Sequence, residues 1–164
     1  IMPSLVGSEM CIRDRYNRFE VVKMMISTKG RYALRVMIDL AEHDPHTYTP
    51  LKDIAKRQNI SEKYLEIIIK VLSQARFVYG LRGKGGGYRL ARNPHTYTVG
   101  SILKLTEGSL APVACLECSP NTCERAQTCK TLPMWQKLDQ MIDEYFEGIT
   151  LADLAGSTGD DYII

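Results

Sequence analysis

Four cysteines, Cys115, Cys118, Cys123 and Cys129, fall within fifteen residues of one polar stretch, ACLECSPNTCERAQTCKTLPMW. Thiolates are the natural ligands of iron–sulfur clusters, and four of them satisfy one cluster completely. The Cys115-x2-Cys118 pair would also serve a tetrahedral zinc site. A metal-free thiol switch and inert cysteines complete the alternatives. A single buried cysteine usually only fills space, but four in one polar loop call for a chemical reason. A disulfide scaffold belongs to secreted chains with a signal peptide. The opening residues, IMPSLVGSEMCIRDR, carry neither a basic n-region nor a continuous apolar one. A reducing, cytoplasmic setting is therefore expected, where clustered cysteines bind metal or sense redox state. His43, His46 and His95 lie in polar connections, and no Ser/His/Asp or paired-carboxylate arrangement points to an enzyme.

A second group of residues offers charge. Between residues 25 and 98, Lys and Arg outnumber Asp and Glu by seven, through Lys29, Arg31, Arg35, Lys63, Lys70, Arg82, Lys84, Arg89 and others. Beyond Val99 the balance reverses, with Glu107, Glu117, Glu124, Asp139, Asp143, Glu144 and Glu147. The net charge of +2 hides this division. A basic front half suits a polyanion, because neutralised phosphates release counterions; ordinary solvated helix faces are the plainer explanation.

The elements that must position these groups are readable from periodicity. STKGRYALRVMIDLAEH has the apolar spacing of an amphipathic helix, with Ser27 or Thr28 as its cap. Pro45 and Pro50 punctuate the connection that follows. Residues 51–57 form a short helix with Leu51, Ile54 and Ala55 inward. After a tight turn, Ser61 caps a third helix to about Ala75, with Tyr64, Leu65, Ile68, Ile69 and Leu72 on its apolar side. Two short helices so joined make a helix-turn-helix pattern. FVYGLRGKGGGYRLAR then supplies two strand-like segments, 77–81 and 88–91, around a basic glycine-rich tip. A phosphate-cradling loop would run through Gly-Lys-Ser/Thr into a helix; here the glycines lead into a strand, so a β-hairpin wing is expected. TVGSILKLTEG gives a fourth helix capped near Thr98. From Leu132, periodicity resumes through Trp135, Leu138, Met141, Ile142, Tyr145 and Phe146 until Gly148, and LADLA adds a last turn. The apolar stripe of the long helix must be covered by a second copy of itself or by its own domain.

The dispersed segments ISTKGRYALRVMIDLA, ISEKYLEIIIKVLSQARFV, RGKGGGYRLAR and ITLADL, in this order, resemble the Rrf-two superfamily of bacterial regulators, the group of IscR, NsrR and CymR. The resemblance implies a mainly α fold: a winged helix-turn-helix domain with a two-stranded β wing and a long C-terminal dimerisation helix. It implies a homodimer that binds a double-stranded DNA operator without membrane attachment. It puts Lys63, Tyr64, Glu66 and Ile67 on the major-groove face, with Lys70 on the same helix, and Arg82 in the minor groove beside Lys84 of the wing tip. Tyr64 reads equally well as core, and Ile67 stands where the family has a polar residue. Cys115, Cys123 and Cys129 match the family's cluster ligands for a [2Fe-2S] or [4Fe-4S] group, with Cys118 an additional candidate. The histidine ligand of some relatives corresponds to Leu132, and the acidic ligand of the nitric-oxide-sensing branch to Arg31.

The expected organisation is a winged-helix domain over 24–98, a linking helix and cysteine-rich sensor loop over 99–131, a dimerisation helix and short terminal helix over 132–155, and a tail over 156–164. Residues 1–23 contain SLVGSEMCIRDR, which resembles translated sequencing-adapter read-through. They are expected to be a non-native leader ahead of Met24 or Met25, leaving Cys11 in no site. The expected function is a cytoplasmic, sequence-specific DNA-binding regulator that senses redox state or nitric oxide through a cysteine-ligated cluster, with zinc the lesser alternative. Two rivals remain. One is a cluster-free repressor controlled by thiol oxidation or a partner protein, as in the cysteine-metabolism branch. The other is an iron–sulfur redox protein that binds no DNA.

Overall fold

The computed structural model describes residues 26–121 and 123–156. The expected leader over 1–23, and all of the expected tail except Gly156, lie outside the described residues. Six helices and one hairpin follow in the expected order. Helix α1, Thr28–Ala41, starts where the Ser27 hydroxyl accepts the Gly30 N–H at 3.2 Å, and it buries Ala33, Val36, Met37 and Leu40 at helical spacing. Helix α2, Leu51–Gln58, ends because Asn59 turns left-handed at φ 52°, a conformation asparagine tolerates better than most residues. Ser61 then caps α3, Glu62–Gln74, by accepting the Tyr64 N–H at 3.3 Å. Leu65, Ile68, Ile69 and Leu72 of α3 are buried against α1 and α2.

Strands β1, Val78–Leu81, and β2, Gly87–Leu90, pair antiparallel with Val78 opposite Leu90 and Leu81 opposite Gly87. Each is shorter by one residue at its outer end than the sequence pattern predicts. β2 also begins one residue earlier, at Gly87, which pairs backbone to backbone. The sequence pattern did not anticipate a third segment. Thr49 bridges Tyr88 through hydrogen bonds of 2.9 and 2.8 Å, extending the wing on the β2 side. Gly87 permits this approach, since a Cβ there would stand 2.3 Å from the Thr49 carbonyl oxygen.

Tyr97 is fully buried under the hairpin, donating its hydroxyl to the Phe77 carbonyl at 2.8 Å and accepting the Arg92 N–H at 2.9 Å. Helix α4, Val99–Glu107, is capped by Thr98, whose hydroxyl accepts the Ser101 N–H at 3.0 Å. Ile102 joins the core cluster that α1 shares with α3. After the cysteine loop comes α5, Leu132–Glu147, then α6, Leu151–Gly156. Helix α6 returns to α1, burying Leu151, while Thr98 bridges Thr150. The last described helix thus packs in the core that α1 shares with α3. No residue of α5 is buried. Its stripe divides: Trp135, Leu138, Ile142 and Phe146 are half-buried, whereas Met134, Met141 and Tyr145 are more than half exposed. No described helix is long and apolar enough to cross a membrane.

Candidate nucleic-acid interface and cysteine loop

With Leu65, Ile68, Ile69 and Leu72 turned inward, the helical repeat points Lys63, Ile67 and Lys70 directly outward and Glu66 to one flank. All four are exposed. Tyr64 is not part of this row. It is half-buried, its ring meeting Tyr32 of α1 edge-to-face at 5.9 Å. The core alternative for Tyr64 describes its surroundings better than the groove face does. Arg82 and Lys84 are exposed on the hairpin tip. Gly83 and Gly85 adopt φ of 96° and 78°, and the Gly86 N–H closes the turn onto the Gly83 carbonyl at 2.9 Å. The wing base carries a contact that sequence reading missed. The Arg89 guanidinium lies against both Tyr48 and Tyr79, at 5.1 and 5.8 Å from their ring centres, and donates to the Pro45 carbonyl at 3.1 Å.

A second missed group ties α1 to the end of α2, the first helix of the motif. Asp39 of α1 is 2% exposed and receives two hydrogen bonds from the Arg57 guanidinium, at 2.9 and 2.7 Å, and one from the Gln58 amide at 3.1 Å. Gln58 in turn accepts from Arg35 at 3.1 Å, and Arg35 lies over the Tyr32 ring at 5.2 Å. One chain of contacts therefore links α1 to the end of α2 and returns through Arg35 and Tyr32 of α1 to Tyr64 in the first turn of α3. Burial alone would raise the Asp39 pKa. The hydrogen bonds from Arg57 and Gln58, together with the Arg57 charge, outweigh burial and hold it below its ordinary value. The signal in the sequence was an acidic residue at a position the apolar stripe of α1 should have buried.

The helices before and after the cysteine loop, α4 and α5, are held by polar contacts outside the loop. Glu107, the last residue of α4, accepts from the Ser27 hydroxyl at 2.7 Å and the Ser27 N–H at 3.3 Å, so a carboxylate sits at the N-terminus of α1. Gly30 leaves room for it, because a Cβ there would fall 2.2 Å from that carboxylate. Lys104 of α4 also pairs with Asp143 and with Glu147 near the C-terminal end of α5, the latter at 2.7 Å. Thr98 donates its hydroxyl to Glu147 at 2.6 Å. The hydrogen bond from Lys104, then that from Thr98, keeps Glu147 below the usual carboxylate range.

In the loop, Cys115, Cys123 and Cys129 are free, half-buried thiols, whereas Cys118 is disulfide-bonded. Hydrogen bonds from the Thr131 hydroxyl and from the Thr131 and Leu132 backbone hold the Cys129 thiol below its usual range. Asn121 turns its side-chain oxygen to the Cys123 N–H at 2.8 Å. Three free thiols in one loop fit an iron–sulfur group by the chemistry of the donor set. Among the described residues, however, no three His, Cys, Asp or Glu side chains are gathered closely enough to hold a metal ion.

A helix-turn-helix with an outward basic row, followed at once by a basic wing, defines a winged-helix DNA-binding transcription regulator. The chain belongs to the Rrf2 family, described as an iron-dependent transcriptional regulator, whose pattern matches residues 26–157. It is 38% identical over 135 residues to the HTH-type transcriptional regulator CymR of Bacillus subtilis, covering 82% of this chain and 92% of that one. It is 35% identical over 131 residues to the HTH-type transcriptional regulator IscR of Vibrio campbellii, covering 80% and 77%. The solved structure of T. potens IscR superposes with a TM-score of 0.63 at 36% identity, over 85% of this chain and 92% of that one. These relatives bear the names of regulators, not of enzymes, which agrees with the absence of a catalytic arrangement in the sequence.

Proposed function

We propose that this regulator works as a cytoplasmic homodimer that binds a partly palindromic operator through Lys63, Glu66, Ile67 and Lys70 of each α3 and through Arg82 and Lys84 of each wing. The observation that carries this reading is the outward row of α3, charged and exposed on a helix whose opposite face is buried. In the major groove, Lys63 can approach phosphates or guanine edges, and Glu66 can accept from cytosine N4. Arg82 on a slender hairpin suits the negative potential of a narrow minor groove.

The 109–131 loop is the sensor in this proposal, with Cys115, Cys123 and Cys129 as ligands of an iron–sulfur cluster. A bound cluster would supply a redox- or nitric-oxide-sensitive centre. The protein's own part is mechanical: the loop joins α4 to α5, and the Glu107–Ser27 and Lys104–Glu147 contacts couple α4 to the start of α1 and to the end of α5. Half-site spacing in a dimer then changes with the orientation of those helices. A second reading, control by thiol oxidation or a partner protein without a cluster, draws support from the fact that no three potential ligands among the described residues are gathered closely enough to hold a metal ion.

Anaerobic purification followed by a visible spectrum and iron and sulfide analysis tests the choice. Iron with acid-labile sulfide is expected; colourless, iron-free protein that cannot be reconstituted overturns the cluster. Operator binding that is unchanged between redox conditions in a Cys123→Ala, Cys129→Ala chain, as in the wild type, removes the sensing role altogether.

A further inference from the structure

We infer that Ile67 is a base-reading residue and that it recognises the 5-methyl group of a thymine. This rests on the DNA-binding reading and adds the chemistry of one contact. Ile67 is the sixth residue of α3, in the half of a recognition helix that reaches base edges. It lies opposite the buried Leu65, Ile68, Ile69 and Leu72, at the centre of the outward face, and is 52% exposed. Lys63 precedes it by one turn, Lys70 follows by one turn, and Glu66 flanks it; all are charged and exposed. An isoleucine at the centre of that row can neither donate nor accept a hydrogen bond and cannot neutralise phosphate. In the major groove, the one apolar feature a base pair presents is the thymine methyl. Covering Ile67 with that methyl removes apolar area from water on both sides, while the flanking lysines satisfy the backbone.

The consequence is a preference the charged neighbours cannot produce. Glu66 would select cytosine through N4, and Ile67 would select thymine one step away through a group with no hydrogen-bonding capacity.

The test begins with the full chain and a pool of random duplexes, from which the wild-type protein enriches its preferred sequence. Each thymine of that sequence is then replaced singly by deoxyuridine, which lacks only the methyl. At one thymine in each half-site, wild-type affinity is expected to fall about three- to fivefold, the worth of one buried methyl. The fall should be the same at low and high salt, since no ion is released. Ile67→Ala should bind the thymine and deoxyuridine duplexes equally, and Ile67→Gln should enrich a different base at that position. Both changes lie on an exposed helix face, so the fold is retained. Deoxyuridine substitution that is silent at every position, or that weakens Ile67→Ala as much as wild type, overturns the inference. A wild-type chain that enriches no duplex overturns the DNA-binding reading along with it.

Discussion

Two residues of the proposed interface offer different kinds of recognition, and their variants should separate. Lys84, exposed at the wing tip, is placed to meet backbone phosphate. Lys84→Ala is expected to weaken binding to a selected duplex and to a scrambled one alike, and to lower the salt slope by about one ion. Glu66→Ala should leave the scrambled duplex unaffected and lose about 1–3 kcal/mol of discrimination at a single base pair. Fluorescence anisotropy on both duplexes across a salt series checks both. Asp39 acts through stability instead. Its carboxylate is favoured in the folded state, so its contribution is complete above the ordinary value of 3.8 and is lost as pH falls through the lowered folded value. Asp39→Asn is expected to cost about 1–3 kcal/mol at pH 7, because the buried group loses its charge while Arg57, 37% exposed, keeps access to water. The gap between the two proteins should narrow below pH 3.8. Urea midpoints for both proteins at pH 7 and pH 3 measure it, and a gap that stays constant would show that Asp39 contributes through packing alone.

At the scale of elements, the capped helices were open to sequence reading because caps and apolar spacing are local. Ser27, Ser61 and Thr98 each cap the helix expected of them, and Gly148 ends α5. What escaped depends on partners distant in sequence. The Thr49 bridge, the Asp39 cluster and the return of α6 to α1 each join segments that no short window contains. The placement of Tyr64 against Tyr32 escaped for the same reason. The cysteine loop shows the limit from the other side, since spacing brought four thiols together in sequence but does not fix where their sulfurs lie. The Thr49 bridge yields an element-scale prediction. At Gly85 the backbone is left-handed with nothing within 4 Å of an added Cβ, whereas at Gly87 the Cβ would meet the Thr49 backbone. Gly85→Ala should therefore cost about 1 kcal/mol of backbone strain. Gly87→Ala should cost more, about 1–3 kcal/mol, by forcing the 49–50 segment from the wing. Thermal midpoints rank them, and the reverse order would mean that Thr49 yields without loss.

The whole molecule depends on what covers α5. Its polar residues Asp143 and Glu147 face α4 through Lys104, so the helix is anchored to its own domain by charge. Met134, Leu138, Met141 and Tyr145, spaced by four, three and four residues, lie along one face, and Met134, Met141 and Tyr145 are 54–59% exposed. An apolar helical stripe left in water is the side on which a second copy of the same helix can pack isologously. Met141→Glu puts a carboxylate at the middle of that stripe, and across a two-fold axis it would face its own copy, where like charges repel. The variant is expected to sediment as a monomer at micromolar concentration with an unchanged circular dichroism spectrum, because the α1–α4–α6 core does not include position 141. Operator affinity should fall by about two orders of magnitude, since each half-site must then be bound without the effective concentration supplied by its partner. If Met141→Glu remains a dimer with full affinity, α5 is not the dimer interface, and the contacts between α4 and α5 could not set half-site spacing.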